Sequence, residues 1–211
     1  MTTATTTQAY DDLCTLAKEA GTLESVSRLL GWDQETYMPP GAGAARAEQA
    51  AAMAAIVHEK RTSPRYGELI AACESDASLT SDEGSPTARN IREMRREYDR
   101  AVKLPGELVG ELARVGSIAQ DAWKKAREAS DFDAFLPHLE QMLELTRRKA
   151  ECLGAPSDGE LYDALLEEYE PGGRSAEIEA IFTPLAQRLS SLIAEAGIFA
   201  SSIDVSGGVP L

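Results

Sequence analysis

Two histidines, His58 and His138, are the side chains of this sequence best suited to metal chemistry, and they lie 80 positions apart. Zinc peptidases of the common helical type carry two histidines four residues apart on one helix, with a glutamate directly after the first histidine as general base. Glu59 follows His58, but the residue four positions after His58 is Thr62. We therefore predict no zinc-peptidase site at His58, and we expect a surface or capping role for both histidines.

Cysteine usage points to a reducing compartment. Cys14, Cys73 and Cys152 are odd in number and far apart in the sequence. This spacing argues against a disulfide framework and against a Cys-x-x-Cys zinc or redox motif. Because free cysteines are typical of reducing surroundings, we predict a cytoplasmic location. The sequence also lacks a glycine-rich phosphate-binding motif, so it offers no support for nucleotide binding.

The densest group of chemically capable side chains lies where a helical pattern meets a rigid turn of prolines and glycines. It combines two aromatic residues, two carboxylates and an amide, and its members are Trp32, Asp33, Gln34, Glu35 and Tyr37. A helix end followed by a rigid turn is a place where a binding wall can be built. The alternative is that the two aromatic residues are core anchors and the acids are solvated, and the residue types leave both interpretations open.

The elements that must position these residues are helices. Apolar residues recur at intervals of three and four almost throughout the sequence, and no segment sustains the alternation of a half-buried strand. The pattern predicts an all-α protein, a bundle of about eight or nine helices. Polar caps and prolines mark the predicted helix starts, which are Ser63-Pro64, Ser85-Pro86, Leu104-Pro105, Asp131 and Ser175.

The same pattern predicts the domain organisation. Residues 1–7 form a polar, threonine-rich stretch, which we expect to be a flexible N-terminus. A single helical domain is expected over residues 8–196, and Pro184 inside its last helix predicts a kink near Ile181. From residue 197 the periodicity stops and serine and glycine become frequent, so an irregular C-terminal tail is expected over residues 197–211.

Composition excludes several classes of partner. Of the 211 residues, 43% are hydrophobic and 27% are charged, which is ordinary for a globular protein. Lysine and arginine total 21 against 35 aspartates and glutamates, so the formal net charge is −14. Phosphate backbones and anionic lipid surfaces repel such a chain, and we expect neither nucleic acid nor a membrane as partner.

Five segments, in order and at matching spacing, carry a resemblance to a known family. They are WDQETYMPPG at 32–41, ARAEQ at 45–49, NIREMRREY at 90–98, AQDAW at 119–123 and YDALLEEYEPG at 162–172. Over residues 8–195 the sequence resembles the N-terminal half of the carboxypeptidase Taq family, which are zinc- or cobalt-dependent metallocarboxypeptidases.

The resemblance implies an all-helical fold, usually dimeric, in enzymes that release single residues from the C-termini of peptides. The family's metal is held by a His-Glu-x-x-His helix and a later glutamate, which lie beyond the matched region, so no catalytic or metal-binding residue is carried over and no cofactor is expected. The family's N-terminal helices form one wall of the substrate groove. On this basis Trp32, Asp33, Gln34, Glu35 and Tyr37 are the expected groove-wall residues.

These expectations predict a truncated metallocarboxypeptidase-like protein that is inactive alone and acts as a non-catalytic helical module binding peptides or proteins. The alternative is one half of a split carboxypeptidase completed by another chain, and a third interpretation is an inert remnant. Helices that evolved to pack against a missing half would expose an apolar face, so we predict a homo-oligomer, a dimer, or a complex with a separate catalytic chain. The segment from Gly197 is interpreted as the new end of a truncated or frame-shifted gene.

Overall fold

The computed structural model describes the backbone of residues 3–202 and the side chains of residues 8–197. Within residues 3–202 it contains helices and no strand, which confirms the predicted all-α class. The helices are α1 (Thr3–Thr36), α2 (Gly43–Arg61), α3 (Pro64–Glu74), α4 (Ala77–Thr80), α5 (Pro86–Ala101), α6 (Gly106–Ala129), α7 (Phe132–Leu153), α8 (Asp163–Leu166) and α9 (Ser175–Ser202). None of these described helices is long and apolar enough to cross a membrane.

The chain separates into two compact units, Met1–Leu153 and Gly154–Leu211. The first unit contains α1 to α7 and the second contains α8 and α9. The boundary falls directly after α7, at Gly154, whose φ of +82° ends that helix in the left-handed conformation that glycine adopts without strain. The domain predicted over residues 8–196 therefore spans both units.

Two hydrophobic clusters lie inside the first unit. One joins α1, α3 and α5 through side chains that are almost fully buried, namely Leu13, Tyr66, Leu69, Ile70, Cys73 and Ile91. The other joins α6 and α7 through Leu108, Val115 and Leu145. The apolar residues recur every three or four positions along each helix, so each helix buries a single stripe in these clusters.

The alanine-rich helix α2 packs closely on α6. Ala47 and Ala51 of α2 and Ala119 of α6 are buried. On α6, a Cβ atom added at Gly110 would lie 3.8 Å from the backbone oxygen of Ala51. Small residues allow this close approach between the two helix backbones, and it brings α6 next to the end of α1 as well.

Most predicted helix starts are confirmed by their capping contacts. The Ser63 and Ser85 hydroxyls accept hydrogen bonds from Tyr66 N and Ala88 N, at 3.3 and 3.1 Å. Asp131 likewise accepts one from Ala134 N at 3.0 Å. These caps satisfy amide donors that the first helical turn leaves without an intrahelical partner.

Two local predictions differ from the structure. Ser175 does not cap α9 but is its first residue, and its hydroxyl donates to a carboxylate oxygen of Glu160. Helical backbone also extends further than predicted at both ends, because α1 begins at Thr3 and α9 continues through Ser202. The predicted tail beyond that point, residues 203–211, lies outside the described residues.

Candidate functional site at the end of α1

The candidate site occupies the last turn of α1 and the turn that follows it. The amides of Tyr37 and Met38 both donate to the backbone oxygen of Asp33, at 2.9 and 2.8 Å, and thereby close the helix. Pro39 and Pro40 cannot donate backbone hydrogen bonds, so the helix does not continue beyond this point. Gly41 then turns the chain toward α2 with a φ of +91°, a conformation that favours glycine.

The side chain of Gln34 faces inward and makes hydrogen bonds within the protein. Its side chain is 7% exposed. Its Nε2 donates to the backbone oxygen of Ser117 on α6 at 2.9 Å, and the Ser117 hydroxyl donates back to Gln34 Oε1 at 2.8 Å. Because buried polar groups are costly without partners, this reciprocal pair holds the end of α1 in one position against α6.

Two ion pairs flank Gln34 and hold the same helix end. Lys124 of α6 lies 2.7 Å from a carboxylate oxygen of Glu35 and also donates to the backbone oxygen of Gln34 at 3.3 Å. On the other side, Arg46 of α2 pairs with Asp33 and donates to the backbone oxygen of Leu30. Arg46 thus supplies a cation and donors to the carboxyl-terminal turn of a helix, where unpaired carbonyl groups favour positive charge.

The two aromatic residues remain on the surface. Trp32 is 54% exposed and Tyr37 is 74% exposed, so neither is a core anchor. Their ring centroids lie 5.4 Å apart with the planes tilted by 58°, an arrangement that aromatic pairs prefer. Val26 and Leu29 are also exposed and precede Trp32 at intervals of three residues along α1. Together, Val26, Leu29, Trp32 and Tyr37 are called the α1 aromatic surface below.

The five predicted groove-wall residues therefore have two different structural roles. Asp33, Gln34 and Glu35 bind α2 and α6, whereas Trp32 and Tyr37 face solvent. The partners Arg46, Ser117 and Lys124 were not singled out from the sequence. The only signal for them was the mixture of charges and amides beside the turn, which requires counterparts but does not say where in the chain they are.

The histidines lie elsewhere, in surroundings that do not fit a zinc or cobalt site. His58 is in the last turn of α2, where its backbone oxygen accepts hydrogen bonds from the amide and hydroxyl of Thr62, at 2.9 and 2.7 Å. His138 is in α7. No group of three or more histidine, cysteine, aspartate or glutamate side chains that could hold a metal ion occurs among the described residues.

Fold and site together define an all-helical protein with an aromatic surface at a firmly held helix end. A family model described as carboxypeptidase Taq (M32) metallopeptidase matches residues 12–202. The chain belongs to this family, which confirms the resemblance found in the sequence.

Three similar proteins are each much longer than this chain. It is 40% identical over 192 residues to thermostable carboxypeptidase 1 of Thermus thermophilus, and the match covers 88% of this chain and 38% of that protein. The crystal structure of the protein called BsuCP superposes with a TM-score of 0.77 at 28% identity, covering 85% of this chain and 35% of BsuCP. Metallocarboxypeptidase 1 of Trypanosoma cruzi superposes with a TM-score of 0.74 at 27% identity, covering 96% and 40%.

Proposed function

We propose that this chain is a non-catalytic helical module of the carboxypeptidase Taq family that binds peptides or proteins through the α1 aromatic surface. The observation that carries the proposal is the exposure of Trp32 and Tyr37 side by side on a helix end whose polar residues are all engaged internally. Tryptophan and tyrosine are enriched where proteins bind one another, because they offer a large contact area with little loss of conformational freedom. A firmly held backbone reduces the ordering cost of binding further.

The non-catalytic part of the proposal rests on donor chemistry. A metallopeptidase needs several ligands around one ion, and the His-Glu-x-x-His pattern is absent from the sequence because Thr62 stands four positions after His58. The chain spans well under half the length of the relatives it matches. Release of C-terminal residues from blocked dipeptides by the purified chain, with zinc or cobalt added, would contradict this part directly.

Binding is tested with a labelled, unstructured peptide rich in leucine and phenylalanine. A Trp123→Phe background leaves Trp32 as the only tryptophan, so its emission reports contact with the peptide. Trp32→Ala and Tyr37→Ala, made in the natural chain and followed by the peptide's anisotropy, are expected to weaken binding at least about tenfold. Tyr169→Ala is the matched control, because Tyr169 is exposed and lies in the other unit. Equal losses for all three variants, or no binding by the natural chain, would contradict the proposal.

The second candidate function is that of one half of a split carboxypeptidase. It is favoured by the exposed apolar residues Val26 and Leu29, which continue the α1 aromatic surface, and by the 38% coverage of the Thermus relative. The test mixes this chain with a separately purified fragment of the Thermus protein that carries the region not matched here. Peptidase activity that neither chain shows alone would favour this candidate over the binding module.

We also propose that the chain is cytoplasmic and associates with a second protein chain. Free thiols at Cys14, Cys73 and Cys152 are the support for the location. Cell fractionation tests the location, and recovery in an oxidising compartment with these thiols paired would contradict it.

A further inference from the structure

A cavity of about 390 Å³ lies where α6 turns into α7. Its lining residues all fall between Trp123 and Phe135, so one short stretch of the first unit forms it. Small-molecule sites in proteins typically enclose roughly 300–1,000 Å³ and combine apolar walls with a few polar groups. This cavity has both features, and the function proposed above does not involve it.

Aromatic side chains form the walls of the cavity. Trp123 on α6 and both Phe132 and Phe135 on α7 line it. Ala126, which is 6% exposed, lines it between the tryptophan and the turn, and its single methyl group leaves space that a larger side chain would fill. Walls of this kind suit a large apolar group, above all an aromatic ring.

Two opposite charges line the same cavity, Arg127 at the end of α6 and Asp131 in the turn. Within the described residues neither side chain forms an ion pair, although Asp131 Oδ1 accepts a hydrogen bond from Ala134 N at 3.0 Å. Because they share one cavity without pairing, both can bind a ligand inside it. A ligand with a single charge would be repelled by one of them, whereas a ligand that carries both charges complements the pair.

Ser130, between these charges, has an unusual backbone for its residue type. Its φ of +54° is left-handed, and among the described residues it is the one non-glycine with a positive φ. Glycine is the usual residue at this position after a helix. The serine hydroxyl lines the cavity and makes no hydrogen bond with another described residue, so it offers a further polar group to a ligand.

We propose that this cavity binds a free α-amino acid with a large apolar side chain, in its zwitterionic form. Arg127 binds the carboxylate, for which a planar guanidinium is well suited. Asp131 accepts from the ammonium group, the Ser130 hydroxyl donates to the carboxylate, and the apolar side chain lies against the aromatic walls. The proposal does not depend on the α1 aromatic surface, so either can fail without the other.

Calorimetric titration of the whole 211-residue chain with phenylalanine tests the proposal. Saturable binding at roughly millimolar concentrations is expected for a ligand of this size. Three related ligands each lack one of its groups: phenylalaninamide lacks the carboxylate, N-acetylphenylalanine the ammonium and glycine the apolar side chain. Each is expected to bind at least about tenfold more weakly than phenylalanine. Equal binding of all four would overturn the proposal.

Two substitutions test the charged contacts. Arg127→Gln is expected to weaken phenylalanine binding at least about tenfold but to leave the weaker binding of phenylalaninamide unchanged, because that ligand has no carboxylate to lose. Asp131→Asn should likewise weaken phenylalanine and leave N-acetylphenylalanine unchanged. Asparagine also caps helices well, so the start of α7 is expected to persist, and circular dichroism checks it.

Ser130→Gly separates binding from stability. Glycine adopts the left-handed conformation without strain, so the variant should melt at the same temperature or higher. It should nevertheless bind phenylalanine severalfold more weakly, because the hydroxyl is lost. Unchanged binding by Ser130→Gly would remove this serine from the site.

Arg147→Gln is the matched control, because Arg147 is exposed on α7 and does not line the cavity. A Trp32→Phe background leaves Trp123 as the only tryptophan, and its emission should change over the same concentration range as the calorimetric signal. The proposal is overturned if the natural chain shows no saturable binding of phenylalanine. It is also overturned if Arg127→Gln and Arg147→Gln have the same effect, because the ligand would then bind elsewhere.

Discussion

Gln34 on α1 and Ser117 on α6 lie 83 residues apart in sequence and exchange two hydrogen bonds in a buried position. The Gln34 side chain both donates, from Nε2 to the backbone oxygen of Ser117, and accepts, at Oε1 from the Ser117 hydroxyl. A pair of this kind stabilises little beyond what water would offer, but its disruption is costly because the remaining group stays buried. The main effect of the pair is therefore on the position of the candidate site and not on the chemistry of that site.

The coupling between Gln34 and Ser117 is the first testable quantity. Gln34→Ala and Ser117→Ala are each expected to lower the free energy of unfolding by about 1–3 kcal/mol, because each leaves a buried polar group unpaired. The double variant is expected to lose less than the sum, by on the order of 1 kcal/mol, since its second substitution removes a group already without its partner. Urea denaturation measures all three, and strict additivity would show that the two side chains do not act together. Ser75→Ala, at an exposed hydroxyl, is the control and should change stability by under about 0.5 kcal/mol.

The cluster between α1, α3 and α5 is expected to carry much of the stability of the first unit. Ile70 is fully buried there, and Ile70→Ala should cost about 2–5 kcal/mol through lost burial and the cavity left behind. Ile56 on α2 is exposed, so the same substitution at that position should cost less than about 1 kcal/mol. Thermal and urea unfolding measure the difference. Similar losses at the two positions would mean that the cluster is not packed as described.

Two helical glycines should respond to alanine with opposite signs. A Cβ at Gly67 would lie 2.5 Å from the hydroxyl oxygen of Tyr98, whose ring stacks on Tyr66 at 6.1 Å between centroids and so cannot easily withdraw. Gly67→Ala is therefore expected to destabilise the protein. At Gly21 no atom lies within 4 Å of the added Cβ, and Gly21→Ala should stabilise by roughly 0.5–1 kcal/mol because alanine has less freedom to lose on folding. Melting temperatures of the two variants measure this contrast, and a stabilising Gly67→Ala would contradict it.

Lowering the pH is expected to destabilise the second unit, because Asp163 becomes protonated. This carboxylate accepts hydrogen bonds from the amides of Ser175 and Glu160, at 2.8 and 3.1 Å, and hydrogen bonding from Ser175 is the main reason that the pKa of Asp163 lies below its usual range. A lowered folded-state pKa contributes stability that is present above the ordinary aspartate pKa of about 3.9 and is lost as the pH falls through the folded value. Amide protection at Ser175 and Glu160, corrected for intrinsic exchange rates, should therefore fall in that acidic range.

Asp163→Ala is the control for this pH effect. It removes the titrating carboxylate, so protection of the same two amides should already be low at neutral pH and should change little on acidification. A carbon-detected NMR titration of the Asp163 carboxyl group measures the shift directly. An ordinary aspartate pKa for Asp163, or the same response to acid in the Asp163→Ala variant, would show that Asp163 does not cause the pH effect.

Local sequence signals predicted the helix boundaries well where the cap and its helix are contiguous. Ser63 before Pro64 and Ser85 before Pro86 start α3 and α5 because a hydroxyl needs to reach only three residues along the chain. Ser175, by contrast, does not cap α9. Its hydroxyl has a competing partner in Glu160, a contact that the local pattern does not contain.

The sequence by itself determined the helical class, most helix starts, the family and the absence of the family's metal-binding pattern, because each of these depends on residues a few positions apart or on matching segments. Only the tertiary structure decided which members of the group around Trp32 face solvent. Gln34 is buried because Ser117 approaches from α6, and Glu35 is paired because Lys124 does. Burial and pairing depend on groups that meet only when distant helices pack. Helical periodicity carries no information about which distant side chains will be in contact.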